Sequence, residues 1–191
     1  IALVVFGAVP YILTRPHIGV LVWSWLGYMN PHRMAYGFAY SFPFSTVTAI
    51  ATLAGIVFSS EKKTLPWSGT MVVWILFMIW MNVTTPFALN PAEAMYEWDR
   101  TMKTMLMVFI TLLVINTHER INALVWIIVL SLGFYGVKGG IFSLATGGNY
   151  RIWGPESSFI EDNNSLALAL VMTLPLMRYL QLRAKNKYLR W

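Results

Sequence analysis

Residues Ala123–Leu144 read ALVWIIVLSLGFYGVKGGIFSL, 22 positions with one charge, Lys138. As an α-helix they extend about 33 Å, enough to cross a hydrocarbon core of about 30 Å. The stretch lacks the polar–apolar alternation of a barrel strand. In lipid only helices and closed barrels satisfy every backbone donor and acceptor. It is therefore read as a transmembrane helix, and it sets the class of the chain.

Working outward, four more apolar runs meet or approach spanning length: Phe42–Phe58, Trp67–Thr85, Asp99–Ile115 and Ser165–Leu182. Breakers bound them. Pro43 and Pro66 stand at starts, Pro86 and Asn90-Pro91 follow the second run, and Gly147-Gly148 follow Leu144. Residues 1–28 are harder to read, because Arg15-Pro16-His17 splits two short apolar pieces, Ile1–Leu13 and Ile18–Tyr28. They form a short helix pair or one broken helix. The expectation is an all-α polytopic membrane protein with about six to seven transmembrane helices: one domain over 1–191, with its five main spans in 42–182. Composition agrees, since 57% of the 191 residues are hydrophobic and 12% charged, too few charges to clothe a soluble core. A soluble enzyme is excluded. Cysteine is absent, which removes disulfides, thiolate nucleophiles and Cys-type zinc sites.

The net charge of +6 could suggest nucleic acid, but the basic residues flank hydrophobic spans and report orientation instead. Arg178, Arg183, Lys185, Lys187 and Arg190 form an acid-free basic tail. With that tail in the cytoplasm, alternation adds Arg120, Lys62, Lys63 and Arg15, making nine basic residues inside. Arg33, Arg100, Lys103 and Arg151 make four outside. The expected location is the bacterial cytoplasmic (inner) membrane, multi-pass, with the C-terminal tail cytoplasmic.

Three outward segments could carry chemistry. Tyr28–Phe44, YMNPHRMAYGFAYSFPF, reads as an interfacial aromatic belt or as a platform on which sugar rings stack, with Tyr36 and Tyr40 central and Arg33 beside them. His32 has no metal-spaced partner. In Asn90–Lys103, Asn90, Pro91 and Glu93 form a helix start. Glu93/Glu97 and Asp99/Lys103 are i,i+4 pairs, more naturally a solvated face and an ion pair than an acid–base couple. Gly147–Asn164, GGNYRIWGPESSFIEDNN, is an irregular loop whose one cation is Arg151, with Asn163-Asn164 available to cap the next helix. An arginine fork with backbone donors suits phosphate oxygens, and the alternative is a connector whose Arg reaches lipid headgroups. The carboxylates Glu156, Glu161 and Asp162 match no dedicated metal loop, so no metal is expected. Within the spans, Lys138 is functional or snorkels outward. Gly133, Gly136 and Gly140 suggest close helix packing, and Pro175 a kink in the last span.

Taken together, Gly19–Phe44 (GVLVWSWLGYMNPHRMAYGFAYSFPF), Leu65-Pro66-Trp67, Asn82–Pro91 (NVTTPFALNP), Asn122–Phe142 and Arg151–Leu170 (RIWGPESSFIEDNNSLALAL) resemble the exosortase A system-associated O-glycosylation ligases. These belong to the wider O-antigen ligase and polymerase superfamily. The resemblance covers essentially the whole chain. It implies a glycosyltransferase that moves an oligosaccharide from a polyprenyl-pyrophosphate carrier to a hydroxyl of an acceptor protein at the periplasmic face, with no cofactor and no metal. In O-antigen ligases an outward Arg in an RxxG motif is linked to the donor pyrophosphate, and Arg151-Ile152-Trp153-Gly154 matches that motif. The resemblance thus assigns Arg151 and Gly154, helped by Lys138 or Arg33, to the pyrophosphate; Tyr36, Tyr40 and Trp153 are the sugar-stacking candidates. The catalytic His of those enzymes lies in a later periplasmic loop, and His32 does not match it. The segment is therefore expected to be an N-terminal portion, with no catalytic residue and no activity of its own. The expected partners are the carrier-linked glycan, the acceptor protein, membrane lipids and other membrane subunits, but not nucleic acid. The competing reading is a non-catalytic accessory transmembrane subunit of a larger complex. A transporter fits less well, because Lys138 stands alone among the spans.

Overall fold

The computed structural model describes residues 1–61, 63–156 and 158–184. Lys62, Lys185, Lys187 and Arg190, four of the nine basic residues expected inside, lie outside that set. The described residues are all-α, without a strand, and divide into two compact units. One comprises 1–59 with the chain from Thr117 onward, and the other Ser60–Asn116.

In the first unit, α1 (Ala2–Thr14) and α2 (Pro16–Met29) are separate helices. Pro16 disfavours helical geometry at Arg15, whose φ and ψ are −134° and 81°, while its own missing N–H costs nothing at the first helical position. The segment 1–28 is thus a helix pair. α2 ends where Asn30 turns left-handed (φ 49°), a conformation that its short polar side chain tolerates. A 3-10 turn, Pro31–Met34, and a single helical turn, α3 (Phe38–Ser41), lead to α4 (Phe44–Phe58). α1, α2 and α4 approach closely through small residues: a Cβ on Gly19 would overlap the Thr52 hydroxyl, and one on Gly55 the Ile12 carbonyl. Thr48 and Thr52 are fully buried there, each donating its hydroxyl to a carbonyl one turn back, at 2.9 and 2.6 Å. Satisfied within their own helix, they cost little in an apolar setting.

α7 (His118–Ala145) and α8 (Asn163–Arg183) complete this unit as an antiparallel pair, with Asn122 beside Tyr179 and Arg183 and Gly136 against Leu170. Of the expected glycines, Gly136 lies against Leu170, whereas Gly133 and Gly140 face open space. Gly139, a residue the sequence did not single out, makes the other close approach, to Ile152. The N-cap of α8 is Asp162 rather than the asparagines after it. Its Oδ2 accepts from the Asn164 and Ser165 N–H groups at 2.8 and 3.2 Å, and a carboxylate also suits the positive helix end. α8 runs through Pro175 as one helix.

In the second unit, α5 (Gly69–Thr84) and α6 (Pro91–Val114) are joined through a 3-10 turn at Thr85–Phe87. Trp74 stacks on Phe109, and the Trp98 indole N–H donates to the Asn82 side-chain oxygen at 3.2 Å. α6 starts at Pro91 as its sequence predicts, although the Asn90 amide donates to the Glu93 carboxylate instead of capping the backbone. The Asp99–Lys103 ion pair forms, and Glu93 and Glu97 are exposed on the same helix.

Among the described residues, three helical segments are long and apolar enough to cross a membrane: Gly69–Phe87, His118–Ala145 and Asn163–Arg183. α1 and α4 are apolar but shorter, at 13 and 15 residues, and the first half of α6 is charged. The exposed sides of the long helices carry Leu76, Trp80, Leu130, Val137 and Leu168, each about three-fifths exposed. Faces of this kind match lipid, not water.

Candidate functional site

The loop 147–162 leaves α7 through Gly147 and Gly148, both left-handed (φ 64° and 76°), and the Gly148 N–H reaches back to the Ser143 carbonyl at 2.9 Å. Glycine alone takes two such positions in succession without strain. The chain then doubles back along α7. Ile152 seats on Gly139, where a Cβ would come within 2.9 Å of the Ile152 side chain. This close approach brings Arg151 and Trp153 alongside the last turns of α7.

The result is a pocket of about 440 Å³ lined by Tyr135, Lys138, Phe142, Arg151, Ile152 and Trp153, among others. Lys138 lies seven residues before the end of α7, about 10 Å along its axis, so Lys138 and Arg151 line one space from two elements. Among the described residues, no carboxylate lines it. Two cations, an exposed indole and apolar walls can hold a dianionic phosphate group attached to an apolar chain.

Gly154 acts by shape. Its N–H donates to the Glu161 carbonyl at 2.8 Å, and a Cβ there would overlap the Ile160 carbonyl, so residues 154 and 161 form the neck of a closed loop. Inside it the Ser158 hydroxyl donates to the Pro155 carbonyl at 2.6 Å and accepts from the Ile160 N–H at 3.2 Å.

Arg33, Tyr36 and Tyr40 do not line this pocket. The Arg33 guanidinium lies over the Tyr40 ring, 4.8 Å from its centre, and covers one stacking face. Tyr36 is 97% exposed. The segments 28–44 and 147–164 nevertheless meet through Glu156. Its carboxylate accepts from the Tyr40 hydroxyl at 3.0 Å, and its backbone carbonyl from the Asn30 amide at 3.3 Å. The Tyr135 hydroxyl, also in the pocket wall, donates to the Met29 carbonyl at 2.7 Å. His32 packs edge-on against Phe44, and its Nδ1 is buried without a hydrogen-bond partner. Burial, and secondarily the neighbouring Arg33, hold its pKa below the ordinary 6.5, so it is neutral at pH 7.

Long helices with lipid-matched outer faces, and a cationic, tryptophan-lined pocket at one end of a helix pair, define a polytopic all-α membrane protein. The chain belongs to a family described as of unknown function, DUF5935, which matches residues 1–185. No curated protein and no solved structure matches it.

Proposed function

We propose that the chain is the donor-binding membrane domain of a bacterial glycan ligase. The reaction moves an oligosaccharide from a polyprenyl-pyrophosphate carrier to a protein hydroxyl on the periplasmic face. The observation that supports this reading most is the shared pocket of Lys138, Arg151 and Trp153. A single arginine balances a diphosphate poorly; two cations from different elements do so better. The acceptor oxygen forms its bond to the anomeric carbon as the bond from that carbon to the pyrophosphate oxygen breaks, with inversion. Negative charge builds on the leaving pyrophosphate, where Arg151 and Lys138 stabilise it. Trp153 offers an apolar face to the first sugar, and Ile141 and Phe142 one to the polyprenyl chain. The proton of the acceptor hydroxyl goes to a base supplied from outside this segment.

The test is transfer from a synthetic polyprenyl-pyrophosphate glycan to an acceptor protein, by the full-length ligase that contains this segment. Removing one such charge-stabilising group costs about 10²–10³-fold in rate, so Arg151→Ala and Lys138→Met should each lower turnover by that order. Unchanged transfer in both variants would overturn the proposal and favour an accessory transmembrane subunit.

A further inference from the structure

A second cationic pocket lies at the other end of the α7–α8 pair. Its volume is about 830 Å³. The apolar part of its wall includes Trp126, Val129, Leu174 and Met177, and its polar edge Asn122, Arg178, Gln181 and Arg183. Among the described residues, no carboxylate lines it.

The two arginines are held in place by neutral groups. The Arg183 guanidinium lies over the Tyr179 ring at 4.9 Å and donates to the Asn122 side-chain oxygen at 3.3 Å; the same oxygen accepts from the Tyr179 hydroxyl at 2.7 Å. Arg178 donates to the Gln181 side-chain oxygen at 2.9 Å. Amide oxygens and a ring face orient a guanidinium without neutralising it, and each guanidinium carries five N–H donors.

Depth identifies the ligand class. Asn122 and Lys138 are sixteen residues apart on one helix, about 24 Å along its axis. The two cationic pockets therefore lie near opposite headgroup layers of a bilayer. A small soluble anion could meet Arg178 and Arg183 but would make no use of the larger apolar wall. An amphiphile with an anionic head and hydrocarbon tails matches both parts. We infer that this pocket binds one anionic phospholipid, its phosphate on Arg178 and Arg183 and its acyl chains along Trp126, Val129 and Leu174. It is independent of the donor pocket and involves none of that pocket's residues.

The full chain, delipidated in detergent and offered equal amounts of phosphatidylglycerol and phosphatidylcholine, reads this directly by native mass spectrometry of retained lipid. The expected preference for phosphatidylglycerol is about thirtyfold, the factor that two basic side chains near a charged headgroup supply. Arg178→Gln with Arg183→Gln should abolish most of that preference. Leu174→Trp, at a half-exposed wall position remote from the guanidiniums' partners, should reduce retention of the lipid by filling the acyl channel; it decides the matter if the double variant does not fold. Equal retention of the two lipids overturns the inference, as does a preference unchanged by these substitutions. Thermal stabilisation by inorganic phosphate equal to that by phosphatidylglycerol would make the site one for a free anion and would also overturn it.

Discussion

Replacing Gly154 by alanine tests the neck of the loop between α7 and α8. A Cβ at this position overlaps the Ile160 carbonyl oxygen, lies 2.7 Å from the carbonyl carbon and 3.3 Å from the Glu161 Cα. All three are backbone atoms, so no side-chain rotation relieves the overlap, and the neck itself has to open. Opening gives up the Gly154–Glu161 hydrogen bond, about 1 kcal/mol net, and residual overpacking adds about 1–3 kcal/mol. The sum is roughly 2–4 kcal/mol, or about 4–16 °C in melting temperature for a chain of this size. The assay is thermal unfolding in detergent, followed by tryptophan fluorescence, paired with amide exchange over residues 154–161. Gly140→Ala is the control, because nothing lies within 4 Å of a Cβ there and the substitution should stabilise the helix slightly. A Gly154→Ala protein that melts with the Gly140→Ala control, with exchange across the loop unchanged, would refute the close-approach argument.

Two other perturbations have definite signs. Tyr135→Phe leaves the Met29 carbonyl without its 2.7 Å donor and should destabilise by about 1–2 kcal/mol, read by the same melting assay; no loss would mean that another donor takes over. His32 has a folded pKa below its unfolded 6.5, so the unfolded chain binds the extra proton first as pH falls. Its contribution to stability is intact above pH 6.5 and is lost as the pH drops from there through the folded value. His32→Gln should therefore flatten the wild-type decline in melting temperature between neutral and mildly acidic pH, and parallel curves would exclude His32 as the source.

The length of the apolar runs and the breakers that bound them made the helices legible in the sequence. Arg15-Pro16, Asn90-Pro91 and Gly147-Gly148 each mark an observed boundary, because each acts through its own backbone chemistry. The site was legible in part. Arg151 and Trp153 drew attention as a cation and an indole in a glycine-rich loop, and Lys138 as a charge in an apolar span. Nothing local says that they line one pocket: that follows from Ile152 seating on Gly139, a contact made across the loop. Glu156 was read only against metal spacing, yet it links the loop to Asn30 and Tyr40, 126 and 116 positions earlier. Tyr135 carries no local signal in its span, and only its tertiary partner, the Met29 carbonyl, distinguishes it. Arg33 and Tyr40 were grouped correctly with each other, but their separation from the cationic pocket depends on how the 3-10 turn and α3 are laid out.

The interrupted first unit also has a consequence for biogenesis. Its α1, α2 and α4 are complete by Ser59, yet Tyr135, which donates to the Met29 carbonyl at the end of α2, belongs to α7, which ends only at Ala145. At about 5–20 residues per second, the intervening 86 positions take roughly 4–17 s to synthesise. Throughout that interval the nascent three-helix cluster presents an unfilled seam to lipid or to the insertion machinery, while a different helix pair is made and released into the bilayer. The chain therefore completes this unit by return rather than in order.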